Sequence, residues 1–453
     1  MTDFPVQFIE IIENKLPSDS TAFFESIDNP VVTSIRLNLQ HSQKVDLDLT
    51  DAVPWCDHGF FLKDRPSFSL DPQFHGGAYY VQESSSMFID YVIKQIKKEM
   101  SGHLLVLDLC AAPGGKTTLL LDALEPHDVI VTNETIRARA QILKENVLKW
   151  GRSNCVVTHM DPNEFNKSKI LYDIILVDAP CSGEGMFRKD KNAIAEWSVE
   201  NVNLCASRQQ RILQDILPCL KPGGFLIYST CTFNDQENID NITLIGNKYA
   251  MQPIRFELPE KWGIEEVTKS GFYGYHFYPN KVRGEGLFCS VLRKEHGENV
   301  KEIFHTNRSK LRSLEKSEVS LVGTFMKKES LANLLIHENG DVYHYSNETL
   351  KMMHTLANDY RLVYSGTKCG NINKKLFIPD HALALSDLVS PEIPRLEMTL
   401  SEALDFLRRS LTKVESEAKS WTIACYNGTQ LGWFKNLGNR INNYLPTEYR
   451  LRM

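Results

Sequence analysis

The ten cysteines of this 453-residue chain never form a C-x-x-C pair. Cys56, Cys110, Cys155, Cys181, Cys205, Cys219, Cys231, Cys289, Cys369 and Cys425 are spread from one end to the other, which excludes a zinc ribbon and a secreted disulfide framework. They read as free thiols in a reducing compartment, and no metal is expected. The sequence also lacks any apolar run near the ~20 residues that a membrane span requires. Its start, MTDFPVQFIEIIENKL, has acids among its apolar residues and no basic opening, so the signal-peptide pattern is missing. The expectation is a cytoplasmic chain that does not meet a membrane. Internal repeats and low-complexity tracts are absent too. Hydrophobic (42%) and charged (24%) shares are ordinary, which excludes a disordered or fibrous chain, and the length predicts two to four domains.

There is no overall surplus of positive charge. The net charge of -6 argues against nucleic acid as a partner until its distribution is followed. From Arg408 to the end, eight Lys/Arg (408, 409, 413, 419, 435, 440, 450, 452) face three acids (Glu415, Glu417, Glu448), a surplus of +5 that leaves -11 on the rest. A basic tail on an acidic body suits a module that meets a polyanion, and a solvated helix face explains the charge equally well.

Residues 1–95 read as a small α/β unit, with helical spacing in FPVQFIEIIENKL and strands in TSIRLNL and GFFLKD. In 96–295 the apolar runs LLVLDL, DVIVTNE, NCVVTHMD, YDIILVDAP and GFLIYSTC alternate with helical stretches such as RARAQILKENVLKW. That rhythm predicts an α/β, Rossmann-like parallel sheet whose ligands lie beyond the carboxyl ends of the strands. The polar segment 296–320 reads as a connection, followed by two small C-terminal domains, 321–388 and 389–453.

The first strand runs into DLCAAPGGKTT, residues 108–118. Gly115, Lys116 and Thr117 match the end of a phosphate-binding P-loop, and IILVD, ending at Asp178, resembles the acid strand that accompanies one. Cys110, however, stands where the first P-loop glycine belongs, and Pro113 removes a backbone N–H that a phosphate cradle would use. The other reading is an adenosine-type ligand, its ribose bonded by Glu134 at the end of the next strand. A tight turn that needs Gly114 and Gly115 for geometry alone accounts for the loop as well.

Cys181 in DAPCSGEG and Cys231 in YSTCT both follow predicted strands, so the fold carries two thiols to the ligand edge beside Asp178. Singly, each is better read as a buried core thiol; paired at strand ends, the catalytic reading overtakes it. The set CAAPGGK, DAPCSGEG and YSTCT, in this order, resembles the RNA 5-methylcytosine methyltransferases that use S-adenosyl-L-methionine. LKPGGFLIYSTCTFNDQEN, AYYVQESSSM and FYPNKVRGEG extend the likeness over roughly residues 30–295. The tail pieces HALAL, SEALDFLRR and LGWFKNLGNRINNYLPTEYR are similar to the C-terminal domains of the bacterial 16S rRNA branch known as RsmF, the last of them PUA-like.

The resemblance implies Cys231 as the nucleophile at carbon 6 of cytosine, Cys181 as the thiol that assists loss of the carbon 5 proton and release, and Asp178 at the amino and ring-nitrogen edge. It implies cofactor contacts from Cys110, Ala111, Ala112, Pro113, Gly114, Gly115 and Lys116, with Glu134 on ribose, Asp161 beside adenine and Asp178 near the methionine end. From sequence alone, Asp161 serves equally as a helix cap and Lys116 as a solvated lysine. The implied partner is RNA, 16S rRNA near the decoding site or the 30S subunit, met by a monomer. A tRNA substrate, a P-loop NTPase and a binding protein with a dead catalytic domain are the alternatives. Arg188, Lys189 and Lys191 are candidate phosphate contacts or an ordinary charged loop. Arg36 resembles a family arginine of unassigned role. In the tail, Trp433, Phe434, Lys435, Arg440 and Tyr444 interleave aromatics with bases, at least half of them expected in the core.

Overall fold

A computed structural model of the chain describes residues 2–41, 45–296, 311–415 and 419–452. The five apolar runs become parallel strands: β1 Leu105–Asp108, β2 Val129–Asn133, β3 Cys155–Thr158, β4 Tyr172–Asp178 and β5 Leu220–Thr230. They lie side by side in the order β3-β2-β1-β4-β5, with Leu107 opposite both Val131 and Ile175. The order reverses direction at β1, so the crevice for a ligand opens between the ends of β1 and β4. An antiparallel strand, β6 Leu287–Lys294, follows β5, with Cys289 opposite Ser229.

Helices cover both faces, which is why these strands are apolar throughout rather than alternating. Val106, Ile130, Val157, Ile174 and Ile227 pack on one face against Leu119, Leu120, Leu143 and Val147. Leu107, Val131, Val156, Ile175 and Leu226 pack on the other against Ile212, Leu213 and Ile242. The first group comes from helices α1 Gly115–Ala123 and α2 Arg137–Trp150, which follow β1 and β2. Gly151 ends α2 with φ 77°, the left-handed cap that glycine adopts without a Cβ clash.

The N-terminal part has helices Val6–Lys15 and Ser20–Asp28 and a four-stranded antiparallel sheet containing Ser34–Leu37 and Cys56–Leu62. The helix Phe88–Lys97 then joins it to the parallel sheet, burying Phe88, Ile89, Val92, Ile93 and Ile96 at helical spacing, each worth about 1.5–3 kcal/mol. Arg36 locks the same junction from within. Fully buried, it donates to Gln82 Oε1 at 2.9 Å, Asp122 Oδ2 at 2.5 Å and Thr118 Oγ1 at 2.5 Å, and lies 4.6 Å over the Trp150 ring. It is a strut between the N-terminal sheet and α1.

Of the connecting segment 296–320, residues 297–310 lie outside the described residues. Leu311–Ser313 pairs with Leu334–His337 in a five-stranded antiparallel sheet, and Lys316–Val322 is helical. Inside the span 321–388, the short strand Leu362–Ser365 leaves that sheet and adds antiparallel to the free edge of β3. Tyr360 fixes the crossing with hydrogen bonds to Tyr172 Oη at 2.8 Å and Ser168 Oγ at 3.1 Å. The last unit is a four-stranded sheet, Arg395–Glu397, Trp421–Tyr426, Thr429–Asn436 and Ile441–Asn443, with the helix Leu400–Leu407 packed on it. No helix among the described residues is long and apolar enough to cross a membrane.

Candidate active site

The loop after β1 is held from several sides. Leu109 N–H donates to Leu176 O and Ala111 N–H to Asn133 O, both at 2.9 Å, tying the loop to the ends of β4 and β2. From α2, Arg139 donates to Ala112 O and Asn146 to Pro113 O, each at 2.8 Å. Gly114 has φ 116°, and a Cβ there would meet Leu143 and Asn146 at 3.2 and 3.4 Å, so both backbone conformation and space require glycine.

Carboxylates ring this loop. Asp108, fully buried, accepts from Thr117 Oγ1 at 2.6 Å through Oδ2, while its Oδ1 has no partner among the described residues. Burial pushes its carboxyl up to about 7, against the Thr117 bond and aided by the charge of Asp178. Glu134, 3% exposed, accepts from Ile136 N–H at 2.9 Å and meets Arg139 at 3.3 Å. Asp178 pairs with Lys116 Nζ at 2.8 Å and accepts from Ser229 Oγ at 2.7 Å. Burial lowers the Lys116 ammonium, but Asp178 outweighs it and holds the group above its usual value. Lys116 is thus a buried, internally paired cation and not a solvated one. A P-loop lysine has to be free for phosphate, and the carboxylates of Glu134 and Asp178 repel phosphate, so this loop does not suit a nucleoside triphosphate. It does fit S-adenosyl-L-methionine: carboxylates accept from ribose hydroxyls and favour a positive sulfur, and the buried Asp108 Oδ1 at the base of the loop keeps unused acceptor capacity.

Cys181 and Cys231 arrive from the ends of β4 and β5 with their sulfurs 3.3 Å apart, both free thiols. The hydrogen bond to Cys231, together with burial, raises the Cys181 thiol well above its ordinary value. Burial likewise raises Cys110.

A polar network stitches the two cysteine loops together. Glu184, 1% exposed, accepts from the Phe233 and Asn234 N–H groups at 2.6 and 3.1 Å and from the Asn234 side chain and Trp197 Nε1 at 2.9 Å. Glu237 accepts from Ser182 N–H at 2.9 Å, Gln209 at 2.8 Å and the Asn234 side chain at 2.8 Å. Gly185 N–H closes on Cys231 O at 2.9 Å. Two buried carboxylates with this many donors fix one separation of the loops. Sequence reading did not single out Glu184, Asn234, Glu237 or Ser229, and it took Thr117 only as the end of a P-loop match. Their signal was their position inside the quoted motifs, acids and amides where the apolar pattern stops.

The remaining candidates have partners of their own. Asp161 caps the turn Pro162–Lys167 in a capping box with Glu164, its side chain bonded to Asn163 N–H at 3.2 Å, and lies 3.6 Å from Arg211. Arg188 donates to Gly284 O at 3.0 Å and to Ser26 O, Lys189 pairs with Glu285 at 2.6 Å, and Lys191 with Asp28 at 3.2 Å. All three bind protein, so the ordinary charged loop describes them better than phosphate contacts. In the tail, Trp433 and Phe434 are fully buried, Lys435 lies over Trp421, Tyr444 packs on Trp421 at 4.4 Å, and Arg440 is exposed.

Three family models match the chain in order: the N-terminal domain of 16S rRNA methyltransferase RsmF over residues 4–84, the 16S rRNA methyltransferase RsmB/F over 96–293, and the methyltransferase RsmF PUA domain over 394–451. The ribosomal RNA small subunit methyltransferase F of Shewanella piezotolerans is 30% identical, covering 99% of this chain and 98% of that one; its counterpart from Aliivibrio salmonicida is 29% identical, covering 98% and 97%. Among solved structures, a methyltransferase homologue from Pyrococcus horikoshii covers 65% of this chain and 96% of its own, with a TM-score of 0.55 at 24% identity. NSun6 from the same organism, solved with SFG, covers 65% and 100%, with a TM-score of 0.55 at 19% identity; both establish the fold. With the models matched in order and a relative similar from end to end, the chain belongs to the RsmB/F family of S-adenosyl-L-methionine-dependent methyltransferases, in its RsmF branch.

Proposed function

We propose that the protein transfers a methyl group to carbon 5 of cytosine in 16S rRNA near the decoding site, through a covalent bond from Cys231 to carbon 6. The observation that carries this is the pair of free thiols 3.3 Å apart at the strand ends, beside the Lys116–Asp178 pair. Carbon 5 of the aromatic ring is a poor nucleophile, so a thiolate must first add at carbon 6 and push the electron pair to carbon 5. A nucleobase reaches such a crevice by leaving its stack.

In this reading the roles divide as follows. Cys231 attacks, its sulfur 3.3 Å from that of Cys181 and within the charge of Lys116. Asp178, fixed by Lys116 and Ser229, accepts from the cytosine amino edge. After methyl transfer, Cys181, having given its own proton to water, takes the carbon 5 proton as a thiolate; the carbon 5–hydrogen pair re-forms the 5,6 double bond and the carbon 6–sulfur pair returns to Cys231, which releases the RNA. The loop Cys110, Ala111, Ala112, Pro113, Gly114, Gly115 and Lys116, with Glu134, Asp161 and Asp178, would hold S-adenosyl-L-methionine, which supplies the electrophilic methyl group when bound.

Residues 96–295 do the chemistry, 1–95 brace it, and 321–388 with the PUA-like 389–453 choose the RNA. The chain works as a monomer in the cytoplasm, where its ten thiols stay reduced. The test is methyl transfer from labelled S-adenosyl-L-methionine to 16S rRNA, 30S subunits and bulk tRNA from a strain lacking the enzyme, with 5-methylcytosine mapped afterwards. Label in 16S rRNA or the subunit is the expected result. Label in tRNA alone keeps the chemistry and overturns the substrate; methyl groups on another atom overturn the mechanism.

A further inference from the structure

Away from the strand-end crevice, the N-terminal strand Cys56–Leu62 turns alternate side chains to one face, so Cys56 and His58 are both buried while Asp57 between them is exposed. Asp90, in the first turn of the joining helix Phe88–Lys97 and 0% exposed, lies beside them. One donor atom from each of Cys56, His58 and Asp90 lies within 4.8 Å of the other two. Cys56 Sγ is 3.8 Å from His58 Nδ1 and 3.9 Å from its Nε2, and the same Nε2 is 3.9 Å from Asp122 Oδ2. Asp90 Oδ2 lies 2.7 Å from Lys94 Nζ, but Asp90 Oδ1, also buried, accepts no hydrogen bond among the described residues. A carboxylate oxygen left bare in the interior is costly, and an ion is one of the few groups that relieve it.

We propose that Cys56, His58 and Asp90 bind a zinc-class divalent cation, with Asp122 as the carboxylate behind His58. Thiolate, imidazole and carboxylate together select Zn²⁺ over Mg²⁺ or Ca²⁺, which take oxygen alone. Ligands at about 2.3 and about 2.1 Å, set at a tetrahedral angle, stand about 3.6 Å apart, close to the observed sulfur–nitrogen separation. A cavity of about 370 Å³ lined by Asp57, His58, Asp90, Lys94 and Asp122 gives the ion an entry path and a place for water as fourth ligand. Lys94 and Arg36 oppose a cation here. On binding, Lys94 gives up Asp90 and keeps Asp57, whose Oδ2 already lies 2.7 Å from it, while Arg36 stays bonded to Asp122. Cys56 loses its proton to become the thiolate ligand. The ion would join the N-terminal sheet to the helix Phe88–Lys97 that links it to the methyltransferase domain, and none of its ligands takes part in methyl transfer. A C-x-H spacing completed by an acid 32 positions on is invisible to a search for C-x-x-C, which is why no metal is expected from sequence.

The experiment titrates the full-length, chelator-treated protein with Co²⁺, whose bond to a thiolate gives a near-ultraviolet charge-transfer band, and then competes it with Zn²⁺. The expected band saturates at about one equivalent, is displaced by Zn²⁺ and is absent in Cys56→Ser. His58→Ala and Asp90→Asn are expected to weaken Co²⁺ binding by about 100-fold or more, and Asp122→Asn by about 10-fold. Asp90→Asn keeps the side-chain volume, so it decides the matter where Cys56→Ser fails to fold. No thiolate band in the unmodified protein overturns the proposal, as does a band unchanged in every folded variant, which would put the metal on another thiol.

Discussion

The strand-end crevice and the last sheet both combine aromatic, polar and charged residues, and they use them in opposite ways. In the crevice, charge is buried and tied down: Lys116 to Asp178, Asp108 to Thr117, Glu184 and Glu237 to the loops that carry the two thiols. In the last sheet, Trp433 and Phe434 are core while Arg440 and Arg450 stand exposed. Chemistry needs groups held at fixed separations in a low dielectric; attraction to a polyanion needs cations left free in water. On the proposed reading, the contrast separates catalysis from RNA attraction, which the sequence mixes in one list of motifs.

Breaking the crevice should cost most. Cys231→Ala is expected to lower methyl transfer by at least about 10⁴-fold, as for loss of a nucleophile, with cofactor binding by calorimetry near normal. Cys181→Ala should stop turnover later in the cycle, leaving a protein–RNA adduct that survives denaturing gel electrophoresis; full turnover without adduct would remove its release role. Glu134→Ala is expected to weaken S-adenosyl-L-methionine by about tenfold, one charge-assisted bond, and an unchanged Kd would remove the ribose contact. On the other side of the comparison, Arg440→Glu with Arg450→Glu should raise the KM for RNA several-fold and flatten its salt dependence while the single-turnover rate at saturation stays the same. A fall in that rate would erase the division of labour.

The smallest effect concerns Asp108. Its folded carboxyl, raised to about 7, binds a proton in a range where the unfolded one, near 3.8, has already lost it. The folded state therefore holds more protons between these values, and stability falls as pH rises through them, by up to about 1.4 kcal/mol per pH unit from this group. Asp108→Asn should flatten that part of the denaturation-midpoint profile for the cofactor-free protein; an unaltered slope would show that Asp108 is ionised throughout.

Much of the fold is legible because packing writes a period into the chain. LLVLDL, YDIILVDAP and GFLIYSTC are apolar throughout because helices cover both faces of the sheet, and the residues that end them are the ones that reach the crevice. Partners are less legible. Nothing in PGGK says that Lys116 meets an acid 62 positions later, and nothing in LVYS says that Leu362–Ser365 leaves its neighbours for the edge of β3. Asp161 shows the same limit, since the DPNE of a capping box and the acid of a ligand site are one string.

The sequence by itself determined the parallel sheet, the order of its motifs and the delivery of Cys181, Cys231 and Asp178 to one edge, because strand period and connection length are local properties. The tertiary structure alone decided the 3.3 Å between the thiols, the pairing of Lys116, the binding of Arg188, Lys189 and Lys191 to protein, and which tail aromatics became core. Those outcomes depend on side chains far apart in the chain competing for the same partners, and that competition is resolved only when the elements pack.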